Sequence, residues 1–433
     1  MKRYPKYKDS GVSWIGEIPE HWEVSHLRKY LKLISVKGHG SEQLLSVTRE
    51  QGVIVRNVDS KEENHNFVPD DLNGYKFVEE GQFVINKMKS WQGSYGVSLF
   101  RGIASPAYFV CDLDFRNKEF FNIAIRSKAY VPFFTQYSKG IRVDQWDLSP
   151  IALKNIPFIA PPVEEQSAIV SYLDKKSAQI DRFIASTEAE IEALKELKQA
   201  EIARLVTRGV NPDVPMKDSG IAWIGEIPEY WEVRRIKWLF KEEDTRNIDL
   251  KYELLSFSRS KGIVPFSEIN EKEPSANDLS KYKVIKPGQL LENRMQAWSG
   301  MFGCSHIEGC VSPDYAVFSA ANDEVNVEYY ATLFRTKLYI QQFANASRGV
   351  GDGFNRLYTP AFGAIYAHFP PAEEQQAIVD EINFRSSKID LMVSKLNDQI
   401  SHLKELKQRI ISDAVTGKID VSLSPALPSR GER

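Results

Sequence analysis

Over most of this 433-residue chain, apolar residues come in short runs bounded by glycine and polar residues, the pattern of brief strands and turns. GVIVRNV (52–58), GQFVINK (81–87) and AYFVC (107–111) are rich in β-branched and aromatic residues and predict strands. NKEFFNIAIRSKAY (117–130) and NVEYYATLFRTKLYIQQFANA (326–346) predict helices. Twice, the period changes. Between Glu164 and Thr207 there is neither proline nor glycine, and a seam recurs in alternating steps of four and three at Ile180, Ile184, Thr187 (a weak member), Ile191 and Leu194. Ile389, Val393, Leu396, Ile400 and Leu403 repeat it. Such spacing keeps one narrow stripe on one side of a helix; each helix could pack on its own domain, but that would leave much of so long a stripe in water, which favours a second long helix to cover it. Two helices are therefore expected, near 163–208 and 372–416. Prolines 161–162 and 370–371 stand just before them, where a missing N–H costs little. At ~1.5 Å per residue each is a rod of roughly 65 Å. Antiparallel pairing of the two would place the mixed segments at its opposite ends.

The whole pattern is written twice. KDSGVSWIGEIPEHWEV (8–24) returns as KDSGIAWIGEIPEYWEV (217–233), differing only at Val12/Ile221, Ser13/Ala222 and His21/Tyr230. The same offset of 209 relates PPVEEQSAIV (161–170) to PPAEEQQAIV (370–379) and LKELKQ (194–199) to LKELKQ (403–408). Between these anchors the copies drift: LLSVT (44–48) matches LLSFS (254–258) at 210, and GQFVINKMKSWQGSYG (81–96) matches GQLLENRMQAWSGMFG (288–303) at 207. The halves serve as each other's comparison, and a constant frame carries variable interiors. The expected fold is α+β: two similar globular domains and two long helices pairing as an antiparallel coiled coil, in an internal pseudo-two-fold repeat. The expected segments are 1–26, the first domain at 27–156, a helical spacer at 157–210, the repeated segment at 211–235, the second domain at 236–365, a second spacer at 366–416 and a tail at 417–433.

Composition narrows the function. A net charge of −2 exerts no global pull on nucleic acid, so any DNA contact must come from local patches; the first domain is at +4 and the second at −1. No apolar run approaches a membrane span, the N-terminus lacks a signal-peptide core, and three cysteines fit a reducing cytoplasm. The sequence shows no Walker A loop, HExxH or dinucleotide fingerprint. NPDV (211–214) is superficially like the Asn-Pro-Pro-aromatic motif of amino-methyltransferases but lacks its second proline and aromatic, and reads as a turn. VGDG (350–353) reads as a loop, and LDKKS (173–177) as a solvated helix face. CSHIEGC (304–310) offers two thiols and an imidazole, short of the four ligands of a structural zinc site, and the aligned VSLFRG lacks them. A self-sufficient methyltransferase or nuclease is thereby disfavoured; a non-catalytic coiled-coil interaction scaffold without DNA readout stays as the alternative.

Binding chemistry remains. In NKMKSWQGSYG (86–96) and NRMQAWSGMFG (293–303), Lys87 aligns with Arg294 and Trp91 with Trp298. Cations and backbone N–H groups in such loops hold phosphates, while amides and Arg read base edges. The matched Trp and Met are expected to pack. Positions that differ between copies, Lys89/Gln296, Gln92/Ser299 and Ser94/Met301, are the expected readers. A second loop precedes each long helix, SKGIRVDQWDLS (138–149) and SRGVGDGFNRLYT (347–359), and offers Lys139, Arg142 and Gln145, then Arg348, Asn355 and Arg356.

Together the twice-occurring KDSG…W-IGEIP…WEV, the S-[KR]-G before PP-x-EEQ-x-AIV, and the helix that follows resemble the specificity (S) subunits of Type I restriction–modification enzymes. The resemblance spans nearly the whole chain. It implies two target recognition domains, each reading half of a split sequence in double-stranded DNA, with paired helices as a ruler for the spacer. It also implies no catalysis and no cofactor in this chain. Two modification subunits would supply S-adenosylmethionine and methylate adenine, and restriction subunits would add ATP, Mg2+ and cleavage. The repeated KDSG segment differs too little to read DNA; it is expected to be an apolar plug (Trp14, Ile18, Pro19, Trp22 and Trp223, Ile227, Pro228, Trp231) docking each domain on the coiled-coil ends.

Overall fold

In a computed structural model, residues 3–57, 69, 71–140, 146–269, 278–349 and 355–421 are described. The chain forms two compact units, Met1–Thr187 with Asn397–Arg433, and Glu188–Leu396. Each unit thus holds one mixed domain and a piece of both long helices, which run Val163–Arg208 and Ala372–Val415.

In the first unit, a four-stranded antiparallel sheet has the order Leu31–Ile34, Phe109–Leu113, Phe83–Ile85, Tyr95–Val97. The second unit repeats that order with Phe240–Glu243, Tyr315–Ala320, Leu290–Asn293 and Phe302–Cys304. The strand expected at 52–58 is observed at Gly52–Val55, paired with Leu45–Thr48. The helix expected at 117–130 stops at Arg126, having begun at Lys118, and a further helix, Val131–Tyr137, follows it; the helix expected at 326–346 is broken into Val327–Leu333 and Lys337–Ala346. The reason is the same in both domains. Buried Ser127 and Thr336 have extended backbone and turn their hydroxyls back to the carbonyls of Ala124 and Leu333, at 2.7 Å each, so the first helix is closed by a side chain. Breaking there lets two short helices lay Phe120, Phe121, Phe133 and Phe134, or Tyr329, Tyr330, Tyr339 and Phe343, onto one sheet face as fully buried aromatic cores.

Each domain is closed by the strands through which the chain arrives and leaves. Glu23–His26, which begins in the last two residues of the repeated motif, pairs antiparallel with Pro157–Ala160, directly before the first long helix. Glu232–Arg235 pairs with Tyr366–Phe369 in the same way. Motif and helix therefore meet at one edge of each domain.

The expected seam is the covered one. Ile180, Ile184 and Thr187 are buried in the first unit, as is Ile400; Ile191 and Ile389 are buried in the second. In the first unit Lys407 Nζ meets Asp181 at 2.7 Å, and in the second Lys198 Nζ meets Asp390 at 2.7 Å. Asp181 and Asp390 are one position of the repeat, as are Lys198 and Lys407. Arg385 also reaches Glu201 across the second unit's helices. Contacts between the start of one helix and the end of the other fix antiparallel pairing within each unit.

The repeated motif is a plug, with one amendment. Ile18, Trp22, Ile227 and Trp231 are at most 1% exposed, but Trp14 is 41% exposed and lies over Phe133. The indole N–H of Trp22 donates to Glu165 at 2.9 Å, and that of Trp231 to Glu374 at 2.7 Å. Both glutamates belong to the PP-x-EEQ run. The next residues, buried Gln166 and Gln375, donate to the carbonyls of Pro161 and Pro370 and so pin the helix start. The helix ends close the other side. Gly417 and Gly209 have positive φ, and a Cβ there would lie 2.3 Å from Pro19 Cδ in one unit and 2.5 Å from Glu374 Oε1 in the other, so only glycine fits.

Candidate nucleic-acid interface

The two loops expected to bind are brought together in each domain by the same hydrogen bond. In the first, the amide of Leu148 donates to the carbonyl of Lys87 at 3.1 Å; in the second, Leu357 donates to Arg294 at 3.1 Å. The first loop turns through a short 3-10 helix, Ser90–Gln92 or Ala297–Ser299, and reverses at Gly93 or Gly300 with φ of 98° and 84°. A left-handed residue is needed there for the chain to re-enter the sheet as Tyr95–Val97 or Phe302–Cys304.

The side chains around this shared frame differ. In the first domain Lys87 pairs with Asp147 at 2.9 Å, Lys89 and Lys139 are exposed, Gln92 is half-buried, and Trp91 packs edge-on against Trp146. Arg142 and Gln145 lie outside the described residues, as does VGDG. In the second domain Arg294 donates through Nη2 to Glu242 at 2.6 Å and to Thr359 at 3.1 Å. Gln296 is exposed, Ser299 accepts from Arg259 at 3.1 Å, and Arg348 and Arg356 exchange backbone hydrogen bonds at 3.0 and 2.9 Å. Asn355 is exposed, and Arg356 stands 3.6 Å from Asp314. Two expectations need correcting. Ser94 is 3% exposed and its partner position Met301 is 6% exposed, because both follow the glycine turn and point into the core; neither is a reader. Met88, Met295 and Trp298, expected to pack, are instead 47%, 45% and 41% exposed on the loop surface.

The second domain carries an ion-pair ladder beneath its loops. Lys283, 3% exposed, lies 3.3 Å from Glu242 and 3.5 Å from Asp244, and Asp244 pairs with Arg246 at 2.5 Å. Burial opposes the charge on Glu242, but the Thr359 hydroxyl, Arg294 and Lys283 outweigh it and hold the carboxyl below the usual range. Glu292 is different. Fully buried, with neither carboxyl oxygen hydrogen-bonded within the chain, it is pushed up to about 8 by burial against the pull of Arg294. Ile85 and Leu33 fill the aligned places of Glu292 and Glu242 in the first domain, so the ladder belongs to one half alone.

No group of three or more metal-ligating side chains occurs among the described residues. In the CSHIEGC stretch burial pushes both thiols up, that of Cys304 to about 11, and so favours the protonated form.

No family model matches the chain. Two proteins of Methanocaldococcus jannaschii are similar along almost its full length. The putative type I restriction enzyme MjaX specificity subunit is 22% identical, over 94% of this chain and 96% of its own. The type I restriction enzyme MjaVIII specificity subunit is 23% identical, over 93% and 94%. A solved structure from work on assembly and conformational transition of the type I restriction–modification system shares the fold, with a TM-score of 0.62 at 16% identity over 93% of this chain and 99% of that one. Two relatives matched over more than nine-tenths of their length and a common fold agree with the resemblance that the repeat carries. Along nearly its whole length the chain is similar to type I specificity subunits.

Sequence reasoning missed the residues that join frame to domain in this chain. Glu165 and Glu374 sit in a run recognised only as a repeat anchor, yet each carboxylate holds the motif's Trp and its neighbour, His21 at 2.6 Å or Tyr230 at 2.9 Å. The signal was available: an acidic residue unchanged between copies on a helix start, opposite an unchanged Trp. It also missed the ladder, because its members lie on four separate strands or loops.

Proposed function

We propose that this chain is the DNA-reading component of a type I restriction–modification complex, each domain reading one half of a bipartite target in double-stranded DNA. The observation that carries this is the pair of loops joined by one hydrogen bond in both domains while their exposed side chains differ. Identical frames with unlike surfaces are what two readers of two sequences require. The paired helices set the spacer between half-sites and dock two modification subunits. Adenine methylation with S-adenosylmethionine, and cleavage with ATP and Mg2+, belong to the modification and restriction subunits; this chain binds and positions, in the cytoplasm. No described helix is long and apolar enough to cross a membrane.

Sequencing of methylated adenines in DNA from cells with and without this chain tests the reading. Methylation confined to one split sequence, and dependent on the chain, is expected. A complex that assembles around the chain but shows no sequence preference would make it a coiled-coil scaffold without DNA readout. Methyl transfer by the purified chain alone would make it an enzyme.

A further inference from the structure

In the second domain the short helix Thr359–Ala364, which follows the second loop, packs on the 3-10 turn Ile236–Trp238 and leaves a cleft of about 730 Å³. Arg235, Lys237 and Arg294 line it with Tyr358, Thr359 and Glu242. Its charge is lopsided. Glu242 is already engaged by Arg294, Lys283 and Thr359. Arg235 and Lys237 are exposed, rest only against the rings of Tyr366 and Trp238, and make no ion pair among the described residues. Arg294 keeps a buried Nε with no partner within the chain. The cleft is therefore a cationic recess with a hydroxyl and an aromatic wall, open beside the loops assigned to base reading.

The internal repeat separates two kinds of contact. Side chains that read different bases must differ between domains, whereas side chains that hold the phosphodiester backbone need only keep their charge. Lys237 aligns with Arg28, which is likewise exposed on the matching turn Leu27–Lys29, and Arg348 aligns with Lys139. We propose that the cleft of Arg235, Lys237 and Arg294 seats a backbone phosphate of the DNA next to the half-site read by the second domain, with Arg28 as the counterpart of Lys237 in the first. The proposal rests on the DNA-reading function above and adds where the backbone is gripped.

The test uses the full chain, purified with the subunits it assembles with. Binding to a random-sequence duplex library is measured across salt concentrations for wild type, R235Q/K237Q and, as a control on the opposite sheet face, K241Q. Each cation that neutralises a phosphate contributes about 0.9 to the slope of log K against log salt. The double variant should lose about 0.9 of slope, the share of the one phosphate seated there, weaken binding to every duplex by one common factor, and keep the wild-type preferred sequence; K241Q should keep the slope. A wild type that selects a sequence together with an unchanged slope in R235Q/K237Q overturns the cleft and leaves DNA reading standing. A wild type without preference whose slope still falls in the variant keeps the cleft and overturns reading. A changed half-site preference in R235Q/K237Q makes these residues base readers, and saturable binding of a free mononucleotide lost in that variant makes the cleft a small-ligand pocket; either overturns the proposal.

Discussion

At the scale of single residues, the substitution His21/Tyr230 is the most instructive of the three differences between the motif copies. One side chain is an imidazole and the other a phenol, yet each donates to the same oxygen of the aligned glutamate. What is preserved is the hydrogen bond that, with the indole N–H, occupies a carboxylate partly removed from water. Trp22→Ala or Trp231→Ala empties a fully buried site and should cost about 3–5 kcal/mol of its own unit's stability. Chemical denaturation should show the loss, and sequencing of bound DNA should show the half-site preference intact. A clean change of preference would move the motif onto the reading surface.

A second residue-scale prediction concerns pH. Tyr130 and Tyr339 are aligned, and each hydroxyl accepts a backbone N–H, from Ile159 at 2.9 Å and from His368 at 3.1 Å. In the second unit the His368 ring, 1% exposed, adds a 2.8 Å bond to the same hydroxyl, and burial lowers its pKa from 6.5 to about 4. The unfolded chain thus binds this proton first. Its contribution is intact above pH 6.5 and is lost as pH falls toward 4, on the order of 3 kcal/mol. Denaturation of the second unit at pH 7.5 and 5 should show this loss, and H368F should flatten it. Glu292 acts with the opposite sign: raised from 4.5 to about 8, it favours folding below pH 4.5 and loses that contribution as pH rises through 8. E292Q should therefore raise the second unit's melting temperature more at pH 8 than at pH 5.

At the scale of elements, the long helices were legible because proline and glycine are absent and one seam persists across about four turns. The short helices were legible in position but not in continuity. A helical period cannot reveal that Ser127 and Thr336 turn back on the preceding carbonyl and end a helix whose apolar pattern continues. The pairs Asp181–Lys407 and Lys198–Asp390 lie at the surface and contribute at most ~1 kcal/mol each, so the buried seam rather than charge holds the helices together. Seven residues added to both helices preserve the seam. In a ruler, the spacer recognised should lengthen while both half-sites stay the same, as read from methylated adenines. An altered half-site with an unchanged spacer would end the ruler reading.

At the scale of the whole molecule, one contact is made twice at very different chain distances. Trp231 meets the end of the helix that has just preceded it, whereas Trp22 meets Gly417, near the other end of the chain. Deleting 410–433 should therefore destabilise the first unit, exposing Trp22 to solvent and fluorescence quenching, and leave the second unit's stability in place. Replacing 27–156 with the matching domain of a type I specificity subunit should change one half-site; a change in both would refute independent modules.

The sequence by itself determined the repeat, the two long helices and their seam, and the two loops of each domain, because these are periodic or duplicated features that a one-dimensional pattern records. Only the tertiary structure decided which glutamate receives the motif's Trp, that Ser94 faces inward, that an ion-pair ladder lies under one set of loops, and that a cationic cleft opens beside it. Each of those depends on which distant strand supplies the neighbouring side chain, and burial and pairing are properties of the neighbour as much as of the residue.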